Sequence, residues 1–141
     1  MMRSSVGTRC CASSKAPTTR RYQAKNLLSR AHVFVLPTSY PWEGQPISII
    51  EALAYATPVV ATPYRGIPEQ VIDGLNGYLI PPGNPQEIAR AVGKILQSPD
   101  HYQELSQNAL THFQDHFKRE VHLQALIKAI AGQERLLTHS V

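Results

Sequence analysis

Acidic residues are missing from the opening of this 141-residue sequence, and the first one reached is Glu43. Before it stand Arg3, Arg9, Lys15, Arg20, Arg21, Lys25 and Arg30, so the net charge of +4 is concentrated there and the remainder is net acidic. A net-acidic body lacks the broad basic surface that a phosphate backbone requires, and no nucleic-acid partner is expected. Cysteine is nearly absent as well. Cys10 and Cys11 are adjacent, with the spacing of neither a disulfide framework nor a zinc site, which fits a reducing compartment. No apolar run approaches the roughly 20 residues of a membrane-crossing helix, so no integral membrane segment is expected. Internal repeats are absent, and the length suits one domain. The opening MMRSSVGTRCCASSKAPTTRR shares the Arg and Ser content of an organellar transit peptide but lacks the apolar centre of a secretory signal. Residues 1–21 are expected to form a disordered or spuriously translated basic leader.

From Tyr22 the text becomes that of a folded body, expected over residues 22–132, with a tail at 133–141. YQAKNLLSRA reads as a short helix. HVFVL (32–36), PVVAT (58–62) and GYLI (77–80) are short apolar runs without polar alternation, separated by helical text, which is the pattern of buried parallel strands. The first crossover helix is expected from Pro46 to Ala56, with Pro46 at the first helical position. IPEQVI makes a short second one. In PQEIARAVGKILQ, Asn84 is expected as N-cap and Pro85 as the first helical residue, with Ile88, Val92, Ile95 and Leu96 facing inward. Ser98 and Pro99 open a further helix, and REVHLQALIKAIAGQERLL a last one, with Val121, Leu123, Leu126, Ile127 and Ile130 as its apolar positions. The fold class is therefore α/β: three parallel strands, about half of a usual doubly wound sheet, followed by a helical tail. So few strands leave an edge of the sheet unpaired unless another segment covers it.

Ligands of open α/β sheets bind beyond the carboxyl ends of the strands, which here is the loop PTSYPWEGQP after the first strand. The start of the following helix leaves N–H groups without intrahelical partners, at the positive end of the dipole. Gly44, Gln45 and Ile47 are thus candidate donors to a phosphate. Ser48, Glu51 and Tyr55, three and four residues apart, share a helix face about one turn further on. A carboxylate placed there can accept two hydrogen bonds from a vicinal diol such as ribose, and Glu43 can hold hydroxyls of a sugar on the other side. The alternative is that both acids are simply solvated.

The residues FVLPTSYPWEGQPISIIEALAYATPVVAT and RGIPEQVIDGLNGYLIPPGNPQEIARAV resemble the carboxyl-terminal donor-binding domain of retaining GT-B glycosyltransferases of the family 4 type, over about Tyr22 to Ile130. The resemblance implies that Glu43 and Glu51 are its two-glutamate signature. Glu43 is then the catalytic or charge-stabilising acid at the donor sugar, Glu51 the ribose-binding acid, and Gly44, Gln45, Pro46 and Ile47 the segment that meets the sugar diphosphate. It further implies that Gly66 borders the donor site and that Asn76 and Gly77 form the turn before the third strand. For these the alternative is turn geometry, because Gly and Asn tolerate positive φ. Glu69 has the bland role of a first-turn acid. Where the family carries glycine after its signature helix this chain has Ala56, which would cost roughly 1 kcal/mol in a left-handed conformation.

The function implied is transfer of a sugar from a nucleotide-diphosphate donor to an acceptor. No Asp-x-Asp motif is present, in keeping with a metal-independent mechanism without a cofactor. The resembling enzymes also have an amino-terminal acceptor domain, whose text is not among residues 1–21. The isolated chain is accordingly expected to be inactive unless another chain supplies that half. The competing readings are a non-catalytic remnant with weak nucleotide affinity, or a nucleotide-sugar epimerase on the same domain. The expected location is cytoplasmic, peripheral to the membrane. His112 and His116 have a zinc-compatible spacing but no third ligand in the sequence, so the metal reading ranks below a solvated helix face. Tyr40 and Trp42 are placed to shape the mouth of the site.

Overall fold

The computed structural model describes residues 26–137. The expected leader and the last residues of the expected tail lie outside the described residues. Three strands, β1 (Phe34–Leu36), β2 (Val59–Ala61) and β3 (Gly77–Leu79), form one parallel sheet in the order β1-β2-β3. Phe34 stands opposite Val59, and Val59 opposite Gly77. The crossovers carry α1 (Ile47–Ala54) and α2 (Ile67–Gln70), and α3 (Pro85–Ile95), α4 (Pro99–His116) and α5 (Arg119–Leu137) follow the sheet. The chain thus has the expected α/β architecture, and no described helix is long and apolar enough to cross a membrane.

β2 explains why its text shows no alternation: both of its faces are covered. Val59 and Ala61 join Ile49, Ala52 and Leu53 of α1, Ile67, Val71 and Ala109 in one cluster. Val60, pointing the other way, joins Ile80, Ala91 and Ile95 of α3, and Leu105. α4 contributes to both clusters through Leu105 and Ala109, and so closes the core on two sides. β1 pairs with β2 alone among the described residues, and Val35 is exposed beside its free edge.

Several helix ends follow the sequence signals. The Asn84 side chain accepts from Glu87 N–H at 3.3 Å with Pro85 first in α3, and Ser98 accepts from His101 N–H at 3.2 Å at the start of α4. Pro46 does not fit the expectation. With φ −60° and ψ 118° it is the extended N-cap of α1, and the helix begins one residue later. Nor is Leu96 inward. It lies beyond the last turn of α3 and is exposed, while Ala91 takes the buried place. α5 covers the stretch expected for the last helix, but its apolar positions Leu126, Ile127 and Ile130 are 48%, 64% and 56% exposed.

The end of α1 is a Schellman turn with alanine in the glycine position. Thr57 N–H donates to Ala52 O and Ala56 N–H to Leu53 O, both at 3.0 Å, and Ala56 has φ 55°. The left-handed residue turns its carbonyl to Ser106 Oγ, which donates to it at 2.6 Å. The conformation expected at Ala56 is therefore adopted in spite of the Cβ. Ala56→Gly should raise stability by about 1 kcal/mol, read as a higher urea midpoint; an unchanged or lower midpoint would mean that the turn stores no such strain.

Candidate functional site

The loop from Pro37 to Pro46 turns back at Tyr40, whose carbonyl accepts from Glu43 N–H at 3.2 Å, and then enters α1. The N–H groups of Gly44, Gln45 and Ile47 have no hydrogen-bond partner among the described residues. Pro46 supplies no N–H, and its carbonyl accepts from Ile49 N–H at 3.1 Å. α1 therefore starts with free donors at its positive end. Ser48 and Glu51 are half-buried and Tyr55 exposed, while Ile49 and Leu53 on the other side are fully buried. This is the division that their spacing implies. Glu43 is half-buried too, and neither its carboxylate nor that of Glu51 has a hydrogen-bond or ion-pair partner among the described residues. Both acids are left available to a ligand.

What holds this loop was not visible in the sequence. Thr62 Oγ1 donates to Thr38 O at 2.6 Å, Arg65 Nε to Pro41 O at 3.0 Å, Gln45 Nε2 to Glu69 Oε2 at 2.9 Å, and Gln70 Nε2 to Pro46 O at 3.3 Å. Each of these bonds spans 24 positions, so the segment after β2 runs alongside the segment after β1 and prolongs the parallel pairing beyond the strands. Thr62 and Gln70 are fully buried, and Gln70 Oε1 has no partner among the described residues. The signal available in the sequence was a polar residue, Thr62, closing an otherwise apolar strand.

Gly66 and Gly77 are required for close approach rather than for positive φ. Gly66, at φ −77°, caps α2, and a Cβ on it would lie 2.7 Å from Gln45 Cγ and 2.9 Å from Gly44 O. Gly66 thus packs directly on the candidate phosphate-binding segment. The left-handed glycine of the turn before β3 is Gly74, at φ 75°. Asn76 is buried and bonds the turn with its side chain, accepting from Ile72 N–H at 2.8 Å and donating to Gln70 O at 3.1 Å. Glu69 does more than face the start of α2: its carboxylate holds Gln45, and its carbonyl accepts from His112 of α4 at 3.2 Å.

Because a carbonyl can only accept, that contact fixes the neutral His112 as the tautomer with the proton on Nε2. Its ring lies 4.6 Å from that of His116, and no three His, Cys, Asp or Glu side chains converge on a metal position among the described residues. Burial pushes the His112 pKa down, with His116 adding to the effect and the Glu69 contact and Asp115 opposing it. The folded state therefore binds this proton less readily than the unfolded chain. Stability is fully present above the usual histidine value of about 6.5 and falls as the pH drops through the lowered folded value. His112→Gln should flatten this slope in urea midpoints measured at neutral and mildly acid pH; a variant as acid-sensitive as the wild type would show that His112 does not set the slope.

Two cavities of about 130 Å³ lie elsewhere, one lined by Asp73, Tyr78, Arg90 and Lys94, the other by Pro37, Pro81 and Pro85, and neither includes Glu43 or Glu51. Trp42 and Tyr40 stand exposed beside the loop, and the Arg65 guanidinium lies 4.6 Å from the Trp42 ring centroid.

Residues 18–112 match the family model described as glycosyl transferases group 1. The D-inositol 3-phosphate glycosyltransferase of Streptomyces griseus is 38% identical over 84 residues, 60% of this chain and 17% of that protein. Among solved structures, the sucrose-phosphate synthase from Thermosynechococcus elongatus superimposes with a TM-score of 0.64 at 31% identity, over 81% of this chain and 27% of that one. Anabaena HepE in complex with UDP gives 0.70 at 24% identity, over 75% of this chain and 29% of that one. The chain thus spans less than a third of the length of each.

Proposed function

This chain belongs to the glycosyl transferases group 1 family, whose GT-B-type sheet it shares in part, and from that premise we propose that its described body is the donor-binding portion of a retaining enzyme of the family 4 type. The donor is a nucleotide-diphosphate sugar, and the acceptor side is completed by an amino-terminal half. No resident metal or cofactor takes part in this reading. Its carrying observation is the start of α1: three N–H groups without partners among the described residues at Gly44, Gln45 and Ile47, with the unpaired carboxylate of Glu51 about one turn further on. That arrangement matches a nucleoside diphosphate in charge and order. The helix start receives the phosphates, and a carboxylate that would repel them if aimed at them instead takes the two ribose hydroxyls. Glu43, on the loop, faces the sugar and stabilises positive charge that develops on it as the bond to the diphosphate breaks. HepE, of the same fold, is described with UDP bound.

Calorimetric titration of the purified chain with UDP-, GDP- and ADP-sugars tests the reading. Micromolar binding of one donor should weaken about tenfold, roughly 1.4 kcal/mol, in Glu51→Ala. Absence of heat with every donor from folded protein would favour the second reading, a non-catalytic remnant that keeps the family's text without its function. The observations behind that second reading are the free edge of β1 and the exposed apolar side of α5.

A further inference from the structure

The geometry points to Arg65 as a phosphoryl-binding residue at the mouth of the loop, a role resting on the donor-site reading above. Arg65 is one of two non-glycine residues with positive φ among the described residues, at 41°. A left-handed arginine is strained by its Cβ, and such strain persists where the surroundings impose it. Here the imposing contacts are specific. Nε donates to Pro41 O at 3.0 Å, and the guanidinium lies over the Trp42 ring at 4.6 Å. One edge of the side chain is therefore bound and one face is covered, while the Nη groups have no hydrogen-bond or ion-pair partner among the described residues.

The position of this held cation is equally specific. Trp42 precedes Glu43, and Gly66, next to Arg65, packs against Gly44 O and Gln45 Cγ. The exposed guanidinium thus belongs to the segment lying against the free N–H groups that begin α1. Stacked on an aromatic ring and anchored through Nε, it has lost most of its side-chain freedom before any ligand arrives, and its Nη edge suits the paired oxygens of a phosphoryl group. It provides positive charge on the same side as a departing diphosphate. Trp42 and Pro41 act as positioning residues, because they fix the guanidinium without themselves meeting the anion.

The sequence contains a single tryptophan, so the emission of Trp42 reports on this pair directly. The full chain is titrated with inorganic pyrophosphate at constant ionic strength, with sulfate as control. A saturable change of emission with pyrophosphate is expected, weakened about tenfold or more in Arg65→Gln and partly retained in Arg65→Lys. Arg65→Gly relieves the positive φ, so it should fold at least as well as the wild type while losing the response, which separates anion binding from support of the loop. An emission change of equal affinity in Arg65→Gln or Arg65→Gly, or none with the wild type, overturns the assignment. UDP then identifies the source of the phosphoryl group. Competition with pyrophosphate assigns the group to the donor diphosphate, and independent binding assigns it to a phosphorylated acceptor. A pyrophosphate response intact in a chain that binds no nucleotide would sink the donor reading and leave the anion site standing.

Discussion

Gly77→Ala is expected to abolish the folded state. Its Cβ would lie 1.9 Å from Val59 O, 2.8 Å from Val59 C and 2.9 Å from Val59 N, all backbone atoms of the central strand. A flexible side chain could swing aside, but a strand paired on both sides cannot move without parting β2 from β1 or β3. The loss should be at least about 3 kcal/mol, the upper range for overpacking, against total stabilities of about 5–15 kcal/mol for native domains. Circular dichroism and urea titration would read it as missing structure or a midpoint near zero. Gly93→Ala is the matched control, since a Cβ there meets nothing within 4 Å on the exposed side of α3. If both variants fold equally well, the tight pairing of Gly77 with Val59 is wrong.

The second large effect is expected at Asn76. Its side chain is the hydrogen-bond partner of Ile72 N–H among the described residues, at 2.8 Å, and donates to Gln70 O at 3.1 Å from a fully buried position. Its own carbonyl accepts from Val59 N–H at 3.2 Å, tying the same turn to β2. Asn76→Ala leaves a donor and an acceptor unpaired where water has little access, at about 1–3 kcal/mol each, so a loss of about 2–6 kcal/mol is expected. Asn76→Asp keeps the acceptor for Ile72 but sets a carboxylate oxygen against Gln70 O, and should also destabilise. A urea-derived loss below about 1 kcal/mol for the alanine variant would show that the turn finds other partners.

β2 was legible because complete burial removes polar alternation: Val59, Val60 and Ala61 are all inaccessible, and the text PVVAT says so. Asn84 and Ser98 were legible because a capping side chain acts within three residues of its own position. The shared face of Ser48, Glu51 and Tyr55 could be read from spacing, whereas the pairing of Glu43 with Glu51 and the left-handed Ala56 came from the resemblance. What escaped was every device acting between distant segments. The four bonds that fix the candidate loop depend on how β1 and β2 align, which no local pattern encodes. Gly66 and Gly77 invited the usual explanation by positive φ, whereas close backbone approach, visible only after folding, is what excludes a side chain there. α5 shows the converse: its apolar positions could be named from the sequence, but periodicity does not say what lies opposite.

The bond from Ser106 to Ala56 joins positions 50 apart, and Ala109 completes the cluster around α1. A ribosome making this chain releases the candidate loop, Glu43, Glu51 and all three strands before α4 exists. Until some 50 further residues have followed Ala56, α1 has no lid over its apolar side. The candidate loop therefore gains its backing late and from behind, and nascent chains arrested before Ser106 should remain open to proteases and chaperones.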